Sequence, residues 1–319
     1  MKIQDIAQIA GVSSATVSRV FSNHSGISVR TRDRVLEIAR KYSYHPRLSS
    51  KRRNVVVITP SQAEFPAQNY TEMVLSELSR VLSVGNYRVE ILPLDNFGRL
   101  NSIQFCAAIA IGVDHRIAEG WDDLFDAPLI LVDREAPENW RGVFAVHSDE
   151  QQGMALAIDY LYEQGHRRIG SLIGSGGTGN PEIRKEAIFQ ALAKHGLPCD
   201  ESLVRTAAPE QFIEETGKLL RAGVDSLFYP GGHGGIIGAY ALSLYGKTIP
   251  GDISLVASER SMVSRYCIPA QTTISQDYPA LAAAVLELID ARISGSRSPV
   301  KTVFPYKLIR RDSVKSRPV

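Results

Sequence analysis

The chain has 319 residues, 44% of them hydrophobic and 22% charged, with a formal net charge of +2. That length suits about two domains with a sizeable core, and its longest apolar runs, VVVITP and AAIAIG, are strand-length, which excludes a membrane-spanning role. The start, MKIQDIAQIAG, places an acid and two glutamines where a signal peptide needs an unbroken apolar stretch, so a cytoplasmic protein is expected.

Charge is unevenly spread. Residues 1–53 hold 11 Lys and Arg against 3 Asp and Glu, and the rest of the chain is mildly acidic. A basic head on an acidic body is the footprint of a polyanion-binding module. In KIQDIAQIAG, the residues Ile3, Ile6, Ala7, Ile9 and Ala10 recur at three and four, the period of one buried helical face. Gly11 can take the left-handed conformation that ends a helix. VSSATVSRVFS restarts it, with Ser13 able to cap and Val17, Val20 and Phe21 turned inward. A third segment, VRTRDRVLEIARKYSY, puts Val35, Leu36, Ile38 and Ala39 on the core side. Two short helices about a tight turn, braced by a third, make a helix-turn-helix. The second helix leads with small residues, Ser14, Ala15, Thr16 and Ser18, so backbone and phosphates can approach closely and hydroxyls can donate to phosphate oxygens. Arg19 lies one turn beyond Ala15 on the same face, and its fork fits guanine O6 and N7.

The run IQDIAQIAGVSSATVSRVFSNHSGISVRTRDRVLEIARKYSYHP resembles the N-terminal domain of the LacI/GalR family of bacterial transcription regulators. That resemblance implies a recognition helix from near Ser14, with Ser14, Ala15 and Arg19 facing bases and Thr16, Ser18 and Ser22 touching phosphates. It also implies a hinge helix whose leucine wedges into the minor groove. Here only eight residues, 47–54, separate Pro46 from Val55, and no clear N-x-x-A-x-x-L pattern is present. Two readings stay open: Leu48 is a displaced wedge, or the wedge is absent and Arg47, Lys51, Arg52 and Arg53 neutralise phosphate instead.

From Val55 onward, strand-like runs alternate with amphipathic ones. VVVITP, RVEILPL, AAIAIG, LILVDRE, RIGSLIG, SLFYPG and ISLVAS read as short buried strands. TEMVLSELSRVLSVGNY, EIRKEAIFQALAKHG and FIEETGKLLRAG read as helices. This is a doubly wound, parallel α/β arrangement in two similar lobes, with ligands expected in the crevice at the strands' carboxyl ends. GHRRIGSLIG, RKEAIFQAL, IPGDISLVA, IPAQTTISQD and LIRRDSV resemble signatures of the same family, in order. They imply a periplasmic-binding-protein-like core that clamps a small-molecule effector, and a homodimer whose two heads match a two-fold double-stranded operator. The domains expected are a head over 1–46, a short basic linker over 47–54 and a two-lobed effector-binding body over 55–319.

For the cleft, Arg184 resembles the family's effector-binding arginine, able to fork onto a carboxylate or paired hydroxyls. Gln276 and Tyr278 follow TTIS, where the family turns a polar residue to the cleft. Asp133 and Arg134 end LILVDR, and Tyr70 follows the first strand. For each of these a purely structural role is the alternative. The family's Asn-Asp turn after SLFYP is replaced by Gly231-Gly232-His233-Gly234-Gly235, and Glu259 stands where an aspartate is expected, with Arg260 beside it. The effector expected is therefore a sugar derivative or another polar metabolite, anionic ones included, read by Arg184 with His233 nearby.

An enzyme is the main rival. GSGGTG (174–179) satisfies G-x-G-x-x-G after a strand, but no acid closes a second strand at the required distance, and no G-x-x-x-x-G-K-[ST] appears. The seven histidines pair with no nucleophile, and Cys106, Cys199 and Cys267 have no metal spacing and fit a reducing compartment. No catalytic residue, metal or cofactor is expected. A ligand-binding protein for uptake is the other rival; the head argues against it.

Overall fold

The computed structural model describes residues 3–21, 26–42, 44, 53–61, 70–136, 140–175 and 180–318. Three helices form the head: α1 (Ile3–Ala10), α2 (Ser14–Phe21) and α3 (Val29–Lys41). Ile6, Ala7, Ala10, Val17, Val20 and Val35 make its core, with Val12, Phe21, Leu36, Ile38 and Tyr44 packed on the rim. Ile9, expected inward, is 40% exposed; it falls at the margin of a stripe that Ile6 and Ala10 already fill. The turn after α1 is a Schellman motif: Gly11 has φ +64°, its N–H donates to Gln8 O, and Val12 N–H donates to Ala7 O. Ser13 then caps α2, its Oγ accepting from Thr16 N–H at 3.0 Å. Ser28 repeats the device at α3, accepting from Thr31 N–H.

The body runs β1 (Asn54–Thr59), α4 (Tyr70–Val84), β2 (Arg88–Pro93), β3 (Ala107–Ile111), α5 (Trp121–Leu124), β4 (Leu129–Val132), β5 (Val143–Ser148), α6 (Glu150–Glu163), β6 (Ile169–Gly174), α7 (Pro181–Lys194) and β7 (Val204–Ala207). It continues with α8 (Phe212–Arg221), β8 (Ser226–Tyr229), α9 (Gly234–Leu244), β9 (Ser254–Ser258), α10 (Met262–Tyr266), β10 (Thr272–Ser275), α11 (Tyr278–Ser294), β11 (Lys301–Phe304) and β12 (Lys307–Ile309). Two six-stranded sheets result, ordered β11-β5-β4-β3-β1-β2 and β12-β10-β9-β8-β6-β7. Every pairing is parallel except β10 with β12. Each sheet is covered on both faces, which is why its central strands read as unbroken Val, Ile, Leu and Ala runs.

The chain crosses between the lobes three times. It leaves the first sheet from β5 into α6, returns from β10 into α11, and crosses again from β11 to β12. Thus α6 packs in the second lobe's core, through Met154, Ala157 and Ile158, and α11 in the first lobe's, through Leu281, Val285 and Ile289. The crossings meet at the carboxyl ends of β4 and β5, where Gly153 leaves room for the Tyr306 ring: a Cβ there would lie 2.6 Å from it. Sequence periodicity found seven strands. It did not name β5, β7, β10, β11 or β12, of which all but β5 have four residues or fewer, and of the body's helices it named α4, α7 and α8 as examples.

Candidate functional site

In the head, α2 turns Ala15, Ser18 and Arg19 outward together, since Val17 and Val20 point into the core. Ser14 and Thr16 are half-buried at its leading end. The Thr16 hydroxyl lies 2.8 Å from Ser13 Oγ, so it serves the cap as well as any phosphate. Ser22, Arg47, Leu48, Lys51 and Arg52 lie outside the described residues. Arg53 departs from the expectation placed on it. Its Nη1 donates to Gly85 O at 2.9 Å, and its guanidinium lies 5.0 Å from the centre of the Tyr87 ring. It is docked on the first lobe instead of extending the basic run.

In the body, the side chains expected at the cleft gather around two carboxylates. Asp133, just past β4, has φ +51°, a left-handed conformation costly for a residue with a Cβ. It is held there by its own acceptors. Oδ1 takes the Ser148 N–H at 2.7 Å, and Oδ2 takes Gln276 Nε2 at 2.7 Å and the Tyr70 hydroxyl. Gln276 also donates to Ser148 Oγ at 2.9 Å. The Asp133 side chain therefore ties the end of β5 to the segment after β10. Burial pushes its carboxyl above the usual range against the opposing pull of these hydrogen bonds. Tyr278 lies with Tyr70, ring centres 6.3 Å apart, and burial raises both phenols.

Glu150, the first residue of α6, is the second carboxylate, and sequence reasoning passed over it. Arg184 on α7 forks onto it, Nε to Oε2 at 2.7 Å and Nη2 to Oε1 at 2.9 Å, and the Tyr306 hydroxyl donates to Oε1 at 2.9 Å. Both side chains of the pair are largely buried. Burial opposes the charge on each, yet the pairing outweighs it: the Glu150 carboxyl is held below its usual range and the Arg184 guanidinium above its own. The fork expected for an effector thus already holds an internal carboxylate. Arg134 differs: its Nη1 donates to the carbonyl of Asp133 at 3.0 Å, and among the described residues no carboxylate pairs with it.

The glycine-rich turn lies opposite. Gly231 has φ +104°, and a Cβ there would come 3.2 Å from Arg184 Nη1, so the turn needs glycine twice over. His233, half-buried, is pushed down by burial and by Arg260, which favours the neutral imidazole. Arg260 donates to Gly232 O and lies 3.5 Å from His233 Nδ1. Glu259, 7% exposed, already holds internal partners: it takes Arg311 on both oxygens, at 2.9 and 3.1 Å, and the Thr273 hydroxyl. Among the described residues no cluster of His, Cys, Asp or Glu is arranged to hold a metal, and no helix is long and apolar enough to cross a membrane. Gly176, Gly177 and Gly179 of the G-x-G-x-x-G stretch lie outside the described residues.

Comparison with known proteins finds two matched stretches of the chain. Residues 2–47 match bacterial regulatory proteins of the lacI family, and residues 158–314 match the periplasmic binding protein-like domain. The HTH-type transcriptional regulator GalR of Escherichia coli (strain K12) is 29% identical, with 98% of this chain and 95% of that protein covered. DegA of Bacillus subtilis (strain 168), also an HTH-type transcriptional regulator, is 26% identical over 98% and 97%. Among solved structures, the transcriptional regulator CelR in complex with cellobiose superposes with a TM-score of 0.70 at 22% identity, covering 98% of this chain and 99% of that one. The lac repressor dimer bound to operator and an anti-inducer gives 0.68 at 19%, with 99% of each chain covered. A helix-turn-helix with an outward basic face, two parallel lobes crossed three times, and these matches along nearly the whole length lead to one assignment: residues 2–47 are a lacI-family regulatory head and residues 158–314 a periplasmic-binding-protein-like domain.

Proposed function

We propose that this protein is a sequence-specific DNA-binding transcriptional repressor of the cytoplasm whose grip on its operator is set by a small effector held between the two lobes. Residues 1–46 act as the head, 47–54 as the linker and 55–319 as the body. Ala15, Ser18 and Arg19 read base edges and phosphates from one face of α2, with Ser14, Thr16 and Ser22 beside them; Arg47, Lys51 and Arg52 neutralise phosphate at the joint. The observation that carries the reading is this outward face on a well-capped second helix, at the head of a ligand-clamping fold.

The effector is a sugar or sugar derivative, taken by Asp133, Arg134, Arg184, Gln276 and the His233 turn and stacked by Tyr70 and Tyr278; the cellobiose named with CelR supports that class. Two copies pair through the lobes. On α9, Ile236, Tyr240 and Leu244 form an exposed stripe at four-residue spacing, and Met262, Tyr266 and Ile268 are exposed as well; an exposed apolar stripe supports an interface there. A dimer doubles the contacts to a two-fold operator. The test is selection of bound fragments from genomic DNA, repeated at moderate salt with and without candidate sugars. A recurrent two-fold motif whose affinity responds to one sugar is expected. No preference under any condition would refute the reading.

A further inference from the structure

We infer that Glu150 sets the charge preference of the effector cleft: by filling the Arg184 fork with an internal carboxylate, it reserves this position for an uncharged, hydroxyl-bearing ligand and excludes carboxylate or phosphate esters. The inference rests on the effector reading above and adds the class of ligand. Three observations carry it. The pair is bidentate at 2.7 and 2.9 Å, the geometry in which arginine holds a ligand carboxylate most firmly. Glu150 is fixed from its other side by Tyr306, on the segment joining β11 to β12, and begins a helix capped by Asp149, so it does not swing aside freely. The charges around Arg184 cancel: Arg134 and Arg184 stand against Asp133 and Glu150.

An anion arriving at Arg184 would have to displace Glu150, leaving a buried carboxylate with one hydroxyl partner, or sit beside it with like charges in contact. Both are costly in a site of low dielectric. A sugar hydroxyl meets neither obstacle. Among the described residues no hydrogen bond engages Arg184 Nη1, which approaches the Gly231 turn closely, and it can donate to a ligand oxygen while the pair stays intact.

The test compares wild type, Glu150→Gln and the double variant Glu150→Gln/Arg184→Met. Inorganic phosphate is titrated against chloride at matched ionic strength and read by calorimetry and thermal unfolding. Phosphate held by the basic head contributes equally to all three. Glu150→Gln is expected to bind phosphate at least about tenfold more tightly than wild type, and the double variant to lose that gain. Equal affinity in wild type and Glu150→Gln overturns the inference, and so does a gain that survives Arg184→Met. Should Glu150→Gln fail to fold, Glu150→Ala opens the same fork. Wild-type phosphate binding that disappears in Arg184→Met is by itself a refutation. Operator binding by wild type is measured alongside: its absence sinks the regulator reading and leaves the phosphate comparison standing.

Discussion

Replacing Arg19 by Met removes the one long basic side chain from the outward face of α2 and tests the DNA-reading assignment most directly. Arg19 is exposed and makes no hydrogen bond or ion pair within the described chain, whereas the core beneath it, Val17 and Val20, is untouched. The head should therefore keep its stability to within about 0.5 kcal/mol. A bidentate contact to a guanine contributes about 1–3 kcal/mol of discrimination. Two heads on a two-fold site make that about 2–6 kcal/mol, or roughly 30-fold to 10⁴-fold in dissociation constant. Fluorescence anisotropy with the selected operator and a shuffled duplex measures both affinities across a salt series. The variant should lose affinity for the operator, approach its affinity for the shuffled duplex, and keep nearly the same salt slope, because a base contact releases few counterions. A uniform loss on both duplexes, with a slope shallower by about one, would place Arg19 on phosphate. Unchanged binding would remove it from the interface and, with it, the reason for reading α2 as the recognition helix.

Further outcomes follow from single contacts. Ser13→Ala removes the α2 cap and should destabilise the head by about 1 kcal/mol, seen as faster amide exchange in α1 and α2 with the body unchanged. Gly153→Ala should destabilise the body by about 1–2 kcal/mol despite alanine's better helix propensity: the gain is about 0.5–1 kcal/mol, but the new methyl meets the Tyr306 ring at 2.6 Å and overpacking costs about 1–3 kcal/mol. Calorimetric unfolding decides the sign. Arg311→Met strands a nearly buried Glu259 and should cost about 3–5 kcal/mol, a loss that Arg311→Met/Glu259→Gln partly restores. Asp225 supplies a pH test. Burial pushes its carboxyl up, but His166 Nδ1 at 3.1 Å and the amides of Arg167 and Arg168 outweigh that and hold it far below the usual range. A depressed native pKa stabilises above the unfolded value, about 4, and the contribution is lost as pH falls through the native one. The gap in unfolding temperature between wild type and Asp225→Asn should be full at pH 7 and narrow below about pH 4; a constant gap refutes the linkage.

The head was legible almost to the residue, because its signals are local: a 3.6 period, Gly11 at a left-handed turn, Ser13 at a cap. The strands at the centre of each sheet were legible for a related reason, being apolar on both faces. Shorter strands were not. VRTA has four residues, and KTVF alternates between exposed and half-buried positions. The GGHGG stretch reads as an extended glycine turn, yet Gly234 and Gly235 begin α9 and Gly238 lies within it. Those glycines serve close packing: added Cβ atoms would come within 2.7 Å of Tyr229 or Ala257. Propensity argued against a helix, and tertiary contact overrode it. The cleft divided likewise. Asp133, Arg134, Arg184 and Gln276 stand at strand ends or helix starts that a pattern can locate. Glu150 also begins a helix, but its meaning comes from Arg184 and Tyr306, 34 and 156 residues away.

That distance bears on how a ligand could move the head. The groups proposed to line the cleft also hold the crossing segments: Asp133 holds Ser148 and Gln276, and Glu150 holds Tyr306. A ligand that borrows the Gln276 or Tyr306 donor changes a bond that fastens a crossing segment. Coupling of about 1–3 kcal/mol is enough for a several-fold to hundredfold change in operator affinity, the net scale of one or two hydrogen bonds at a buried carboxylate. It arises only if the ligand makes different contacts in the two arrangements of the lobes. Asp133 is the group best placed to distinguish them, since a single carboxylate accepts from Tyr70, Ser148 and Gln276 at once. Of those bonds only the one to Gln276 reaches a crossing segment, and a sugar hydroxyl delivered to the same oxygen can replace it.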